Sequence, residues 1–155
     1  MVAALNETLL EESRRDAVFA DVHALIDAEV SDKKGASGIA VKSGYAAVKK
    51  VSPSIVPEAV EKLLPSFLDR LDPFWQEFRT TGGRFADYLS GRADEVSDAL
   101  LGVTDDRVEA SSRQAAKKVY KTMRPSAKKN VIEALPRLGD LVESHAERAS
   151  ANLKE

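Results

Sequence analysis

Apolar residues recur along this chain at steps of three and four, the spacing of a helix that buries one face. Val18, Val22, Leu25, Ile26 and Val30 share such a face, which predicts a helix from about Arg14 to Val30. Ser13 with Asp16 approximates its capping box, and a shorter helix is expected before it, with Asn6 or Thr8 as cap. The polar, glycine-bearing run 31–38 reads as a connection. Residues 39–51 suit a helix better than a strand: Val41, Gly44, Tyr45 and Val48 make one face, although Gly44 weakens it. Pro53 closes that segment.

Prolines punctuate the rest. Ile55, Val56, Ala59, Val60, Leu63 and Leu64 form a wide stripe, with Pro57 in the first turn, and Pro65 is expected to stop or kink the helix. Ser66 with Asp69 offers a restart, and Asp72-Pro73 reads as a cap opening a short aromatic helix through Phe74, Trp75 and Phe78. Residues 80–83 are a loop. Phe85, Tyr88 and Leu89 mark one short helix, and Val96, Leu100 and Leu101 another, stopped near Gly102. Thr104 is expected to cap a long helix with Val108, Ser112, Ala115, Val119 and Met123 inward, ended by Pro125. A last helix follows from about Ser126 to Ala149, bent at Pro136. The expectation is an all-α, compact bundle of seven to nine helices.

At 155 residues the chain has the length of one domain. It has no cysteine, which removes disulfides, thiolate nucleophiles and Cys-rich zinc sites, and fits a reducing, cytoplasmic setting. The first residues have neither the basic segment nor the apolar run of a signal peptide, and no stretch reaches the roughly 18 apolar residues of a membrane span.

The net charge of −2 hides a pattern. Residues 1–32 hold eight acids against Arg14 and Arg15, and residues 33–52 hold five lysines and no acid. Residues 53–110 hold twelve acids against six bases, and residues 111–129 hold seven bases and no acid. Acidic and basic segments therefore alternate twice. Motifs repeat as well. At an offset of 66, Phe19-Ala20-Asp21 matches Phe85-Ala86-Asp87, and residues 29–32 match 95–98. At an offset of 71, Val60, Leu64, Pro65 and Asp69 match Val131, Leu135, Pro136 and Asp140. These matches predict a tandem duplication of about 14–79 and 80–150, two helical halves around a pseudo-twofold axis.

Four segments carry a resemblance to a known family: 37–50, 56–67, 99–105 and 124–129, the last reading Arg124-Pro125-Ser126-Ala127-Lys128-Lys129. Together they resemble an uncharacterised family of small helical bacterial proteins, common in actinobacteria. The resemblance implies a helical fold and an intracellular setting, and brings no activity, cofactor or catalytic residue with it.

Neither His23 nor His145 sits in a metal-ligand spacing, and no phosphate-cradling loop or nucleophile elbow occurs. No catalytic residue, metal or cofactor is therefore assigned, and an enzyme is not expected. Two surfaces remain. Tyr45, Phe74, Trp75 and Phe78 could line a ligand pocket or an interface. Arg113, Lys117, Lys121, Arg124 and Lys128 step by four, four, three and four, an anion-binding row or a partner for the acidic segments. The leading expectation is a non-enzymatic helical interaction or scaffold protein that self-associates or takes a protein partner. The alternative is a carrier of a small apolar or amphipathic ligand held between the halves. A weaker one is anion binding through the basic row, with the overall acidity disfavouring nucleic acid.

Overall fold

The computed structural model describes residues 4–153, and all of their regular structure is helical. In chain order the helices are α1 (Leu5–Leu9), α2 (Arg15–Asp32), α3 (Gly35–Val51), α4 (Ile55–Thr81), α5 (Phe85–Gly91), α6 (Ala93–Glu109) and α7 (Gln114–Leu153). The fold is all-α, with the helix count at the low end of expectation because prolines did not end helices where the sequence suggested.

Pro65 and Pro73 lie inside α4, and Pro125 and Pro136 lie inside α7. An interior proline costs about 3 kcal/mol in an isolated helix. In α4 the buried stripe Val60, Leu64, Leu68, Leu71, Trp75 and Phe78 runs through both prolines, and continuous burial on that scale outweighs two lost hydrogen bonds. Asp72 therefore caps no helix of its own. Its carboxylate accepts the main-chain N–H of Leu5 at 3.0 Å and so caps α1 from outside, where Asn6 or Thr8 was expected to do so. Asn6 instead reaches Asp69, and the Thr8 hydroxyl donates back to the carbonyl of Ala4.

Two further boundaries differ. The connection before α3 is only Lys33 and Lys34, and residues 39–51 are helical throughout. Gly102 and Thr104 lie inside α6, and the break comes at 110–113. The Thr104 hydroxyl donates to the Leu101 carbonyl at 2.9 Å, a bond made within the helix. Val119 and Met123, expected inward, are 57% and 60% exposed. Polar residues on the other side of α7 make the seam with α6.

The long helices α4 and α7 form the frame. Each of α1, α2, α5 and α6 packs against both, whereas α3 rests on α2 and α4. Backbones come closest where α5 meets α7. A methyl on Gly139 would lie 2.5 Å from the Cα of Ala86, so the glycine is what admits the contact. Beside it, Glu143 accepts the main-chain N–H of Phe85 at 3.0 Å, and Arg84 pairs with Asp140 at 2.9 Å.

Asp69 and Asp72, which hold α1 on α4, sit 71 positions before Asp140 and Glu143, which hold α5 on α7. The same offset relates buried Leu64, Leu71 and Trp75 to buried Leu135, Val142 and Ala146. The segments matched at an offset of 66 fall elsewhere: Phe19 lies within α2 but Phe85 opens α5, and 29–32 close α2 whereas 95–98 lie in the first turns of α6.

Candidate functional site

The stripe that opens α4 is broader than one neighbouring helix can cover. Ile55, Val56, Ala59, Val60, Leu63, Leu64 and Phe67 meet Val22 and Ile26 of α2 and Val48 of α3 around a groove of about 290 Å³. Every lining residue is apolar. At its mouth Val48 is 44% and Ile55 41% exposed, and neighbouring Val51 is 87% exposed. Large aliphatic side chains are left in water here because α3 reaches the groove through Val48 alone.

What holds α3 to α2 is polar. The Tyr45 hydroxyl donates to Asp27 at 2.5 Å, and Lys49 Nζ lies 3.6 Å from the same carboxylate and 5.0 Å above the Tyr45 ring. Burial, then the bond to Asp27, pushes the Tyr45 phenol up to about 12. That hydrogen bond, helped by Lys49 and His23, holds the Asp27 carboxyl below its ordinary range. His23 stands 3.9 Å from Asp27, and its buried Nε2 makes no hydrogen bond among the described residues.

The seam between α6 and α7 is built differently. Arg124 grips Asp105 with two bonds of 2.8 Å, from Nε and Nη2, and reaches Asp98 at 3.4 Å. Lys128 lies 2.6 Å from Asp94 and 3.1 Å from Asp98. Tyr120 donates to Asp105 and stands 2.8 Å from the Thr104 hydroxyl. Steps of three and four on both helices align these groups into a ladder. The bond from Arg124 pulls the Asp105 carboxyl down, and Asp105 in turn raises the guanidinium above its ordinary value.

The fold therefore divides the basic row of the sequence. Arg124 and Lys128 are engaged by α6, while Arg113, Lys117 and Lys121 carry no side-chain ion pair among the described residues and point elsewhere. It divides the aromatic set too. Trp75 and Phe78 are 3% and 5% exposed and pack with Phe85 at ring separations of 5.0 Å, with Tyr88 beyond. Phe74 packs against this core, and Tyr45 sits apart on α3. The sequence alone does not outline the groove. Its signal was the width of the apolar stripe from Ile55 to Leu64.

His145 is buried on α7 with Nε2 2.6 Å from Asp21, so the two histidines face separate partners. Among the described residues, no group of three or more His, Cys, Asp or Glu could hold a metal ion. No helix among them is long and apolar enough to cross a membrane.

A family model matches residues 5–146, and its description is a family of unknown function, DUF6918. No curated protein and no solved structure matches the chain.

Proposed function

The chain belongs to this family of unknown function, and we propose that it is a non-enzymatic binding protein that takes the aliphatic part of an amphipathic molecule into the groove between α2, α3 and α4. The observation that carries this reading is the lining: ten residues, all apolar, with no side-chain donor or acceptor to orient a polar ligand. At about 290 Å³ the groove lies at the small end of ligand pockets, which favours a single chain over a ring system. Tethering α3 through Tyr45 and Lys49, with short connections at each end, lets that helix tilt to admit a chain without disturbing the frame.

A tandem duplication accounts for the asymmetry. Under it, with units of about 14–79 and 80–150, α4 corresponds to the later part of α7 at the offset of 71, where buried Leu64, Leu71 and Trp75 match Leu135, Val142 and Ala146. The pairs of carboxylates 71 positions apart, Asp69 and Asp72 against Asp140 and Glu143, support that reading. In the second copy the ladder closes the seam, and in the first an apolar opening remains. The cysteine-free sequence suits a cytoplasmic setting.

Displacement of a fluorescent fatty acid, together with native mass spectrometry, tests the proposal. Ala59 lines the groove and is exposed, so Ala59→Phe fills the space without invading the core. Binding by the parent protein and its loss in this variant is the expected outcome. No binding by the parent, or equal binding by both, would refute it. The exposed rim Val48, Val51 and Ile55 favours a second reading, a helix of another copy seated in the same groove. A dimer in the native spectrum that Ala59→Phe dissociates would select it.

A further inference from the structure

Val119 and Met123 stand exposed one turn apart on α7, and their stripe continues at steps of three and four through Ser126 and Asn130. Those two residues line a cleft of about 530 Å³ whose opposite wall is the start of α3, at Lys34, Gly38 and Val41. The two stretches of sequence with bases and no acids, 33–52 and 111–129, thus meet across one cleft.

The carboxylates that line it are already neutralised: Asp32 pairs with Arg137, and Glu133 with Lys33. Lys34 and Lys129 line the same cleft without an ion pair among the described residues. Lys118 lies three turns before Lys129 on the same side of α7, equally exposed to solvent. This face therefore presents unpaired cations beside a pair of exposed aliphatic side chains.

We propose that this face docks on an anionic lipid surface, with Lys34, Lys118 and Lys129 meeting headgroup phosphates while Val119 and Met123 enter the acyl boundary. Charge complementarity selects an anionic partner, and the aliphatic pair selects a lipid one. A single-stranded nucleic acid would call for aromatic platforms, and a duplex would leave the aliphatic pair without a role. Tyr120, the aromatic residue of this part of α7, is instead bound to Asp105 in the ladder. The surface is separate from the α2–α3–α4 groove, so the two proposals stand or fall independently.

Co-sedimentation with vesicles provides the test: phosphatidylcholine alone against phosphatidylcholine mixed with phosphatidylglycerol, at low and raised salt. Binding to the mixed vesicles that weakens with salt is expected. The Lys34→Glu, Lys118→Glu, Lys129→Glu triple variant should lower it by roughly a hundredfold, since each of the three basic side chains near such a surface contributes about fivefold. Val119→Ser with Met123→Ser should weaken vesicle binding and leave binding to soluble duplex DNA unchanged. All five side chains are exposed, and circular dichroism checks that the variants fold. Failure to bind anionic vesicles at low salt overturns the proposal. So does binding indifferent to the triple reversal, or a preference for DNA over vesicles that the aliphatic variant leaves intact.

Discussion

Gly139 of α7 and Ala86 of α5 approach so closely that a methyl on the glycine would fall 2.5 Å from the alanine Cα and 2.6 Å from its nitrogen. Both obstacles are backbone, which cannot rotate away. Gly139→Ala should therefore destabilise the protein by about 2–3 kcal/mol or more, the scale of overpacking in a tight core. Gly44 in α3 makes the internal comparison. A methyl there meets nothing within 4 Å, so Gly44→Ala should gain up to about 1 kcal/mol from helix propensity. Chemical denaturation of the two variants measures both, and opposite signs are expected.

Two carboxylates cap helices to which they do not belong. Asp72→Ala frees the N–H of Leu5, and Glu143→Ala frees that of Phe85. Each should cost about 1 kcal/mol, the usual worth of an N-terminal cap. The loss at Asp72 should appear first as fraying of α1, a helix of five residues, seen as faster amide exchange there than in the body of α4.

Between α6 and α7, Arg124 is the residue that Asp98 and Asp105 share. Asp105 is about a third exposed, so solvent screens the pair and its worth is discounted to about 1–2 kcal/mol, nearer a charge-assisted hydrogen bond than a buried salt bridge. Arg124→Ala should lower stability by that amount. A double-mutant cycle with Asp105→Ala should recover most of the loss as coupling. Lys121→Ala, without an ion pair among the described residues, should change stability by less than about 0.5 kcal/mol.

Stability should fall on both sides of neutrality. The carboxyls of Asp27, Asp98, Asp105 and Glu133 are lowered by hydrogen bonds from Tyr45, Lys128, Arg124 and Lys33 in turn. Their contribution is complete above the ordinary values of 3.8 and 4.5 and is lost as pH falls below these. Tyr45 behaves oppositely. Its folded value of about 12 lies above the ordinary 10, so its contribution is complete below pH 10 and is lost between 10 and 12. Tyr88 and Tyr120 shift the same way, chiefly through burial. Thermal midpoints across pH, with tyrosinate absorbance on the alkaline side, follow both limbs. Tyr45→Phe should flatten the alkaline one.

Helical class and most helix faces were readable from periodicity, since the stripes of Val18–Ile26 and Val60–Leu71 are local patterns. Boundaries at Pro65, Pro73 and Pro125 were not. A proline states its local penalty, while the burial that overrides it comes from distant residues such as Phe85, whose ring packs on Trp75 and Phe78 of α4. Asp72 illustrates the same limit: beside Pro73 it looks like a cap, and its partner lies 67 residues away at Leu5. The charge blocks anticipated the ladder from Asp94 to Lys128, an internal partner for the basic row. They could not show which lysines would be left over. The groove is a space between three helices, and a sequence names only what surrounds it.

The helices α3 and α7 also differ in how they can come apart. α7 joins the ladder and the core in one helix of forty residues, with Pro125 and Pro136 inside it, and the bonds of Tyr120, Arg124 and Lys128 to α6 hold its early turns in place. α3 is bounded by Lys33-Lys34 on one side and residues 52–54 on the other, and its attachment to α2 centres on Asp27. It should therefore open as a unit before the frame does, seen as faster amide exchange in α3 than in α4. Breathing of the protein should be confined to its first half, with the apolar floor beneath α3 exposed in brief excursions and the second half kept shut.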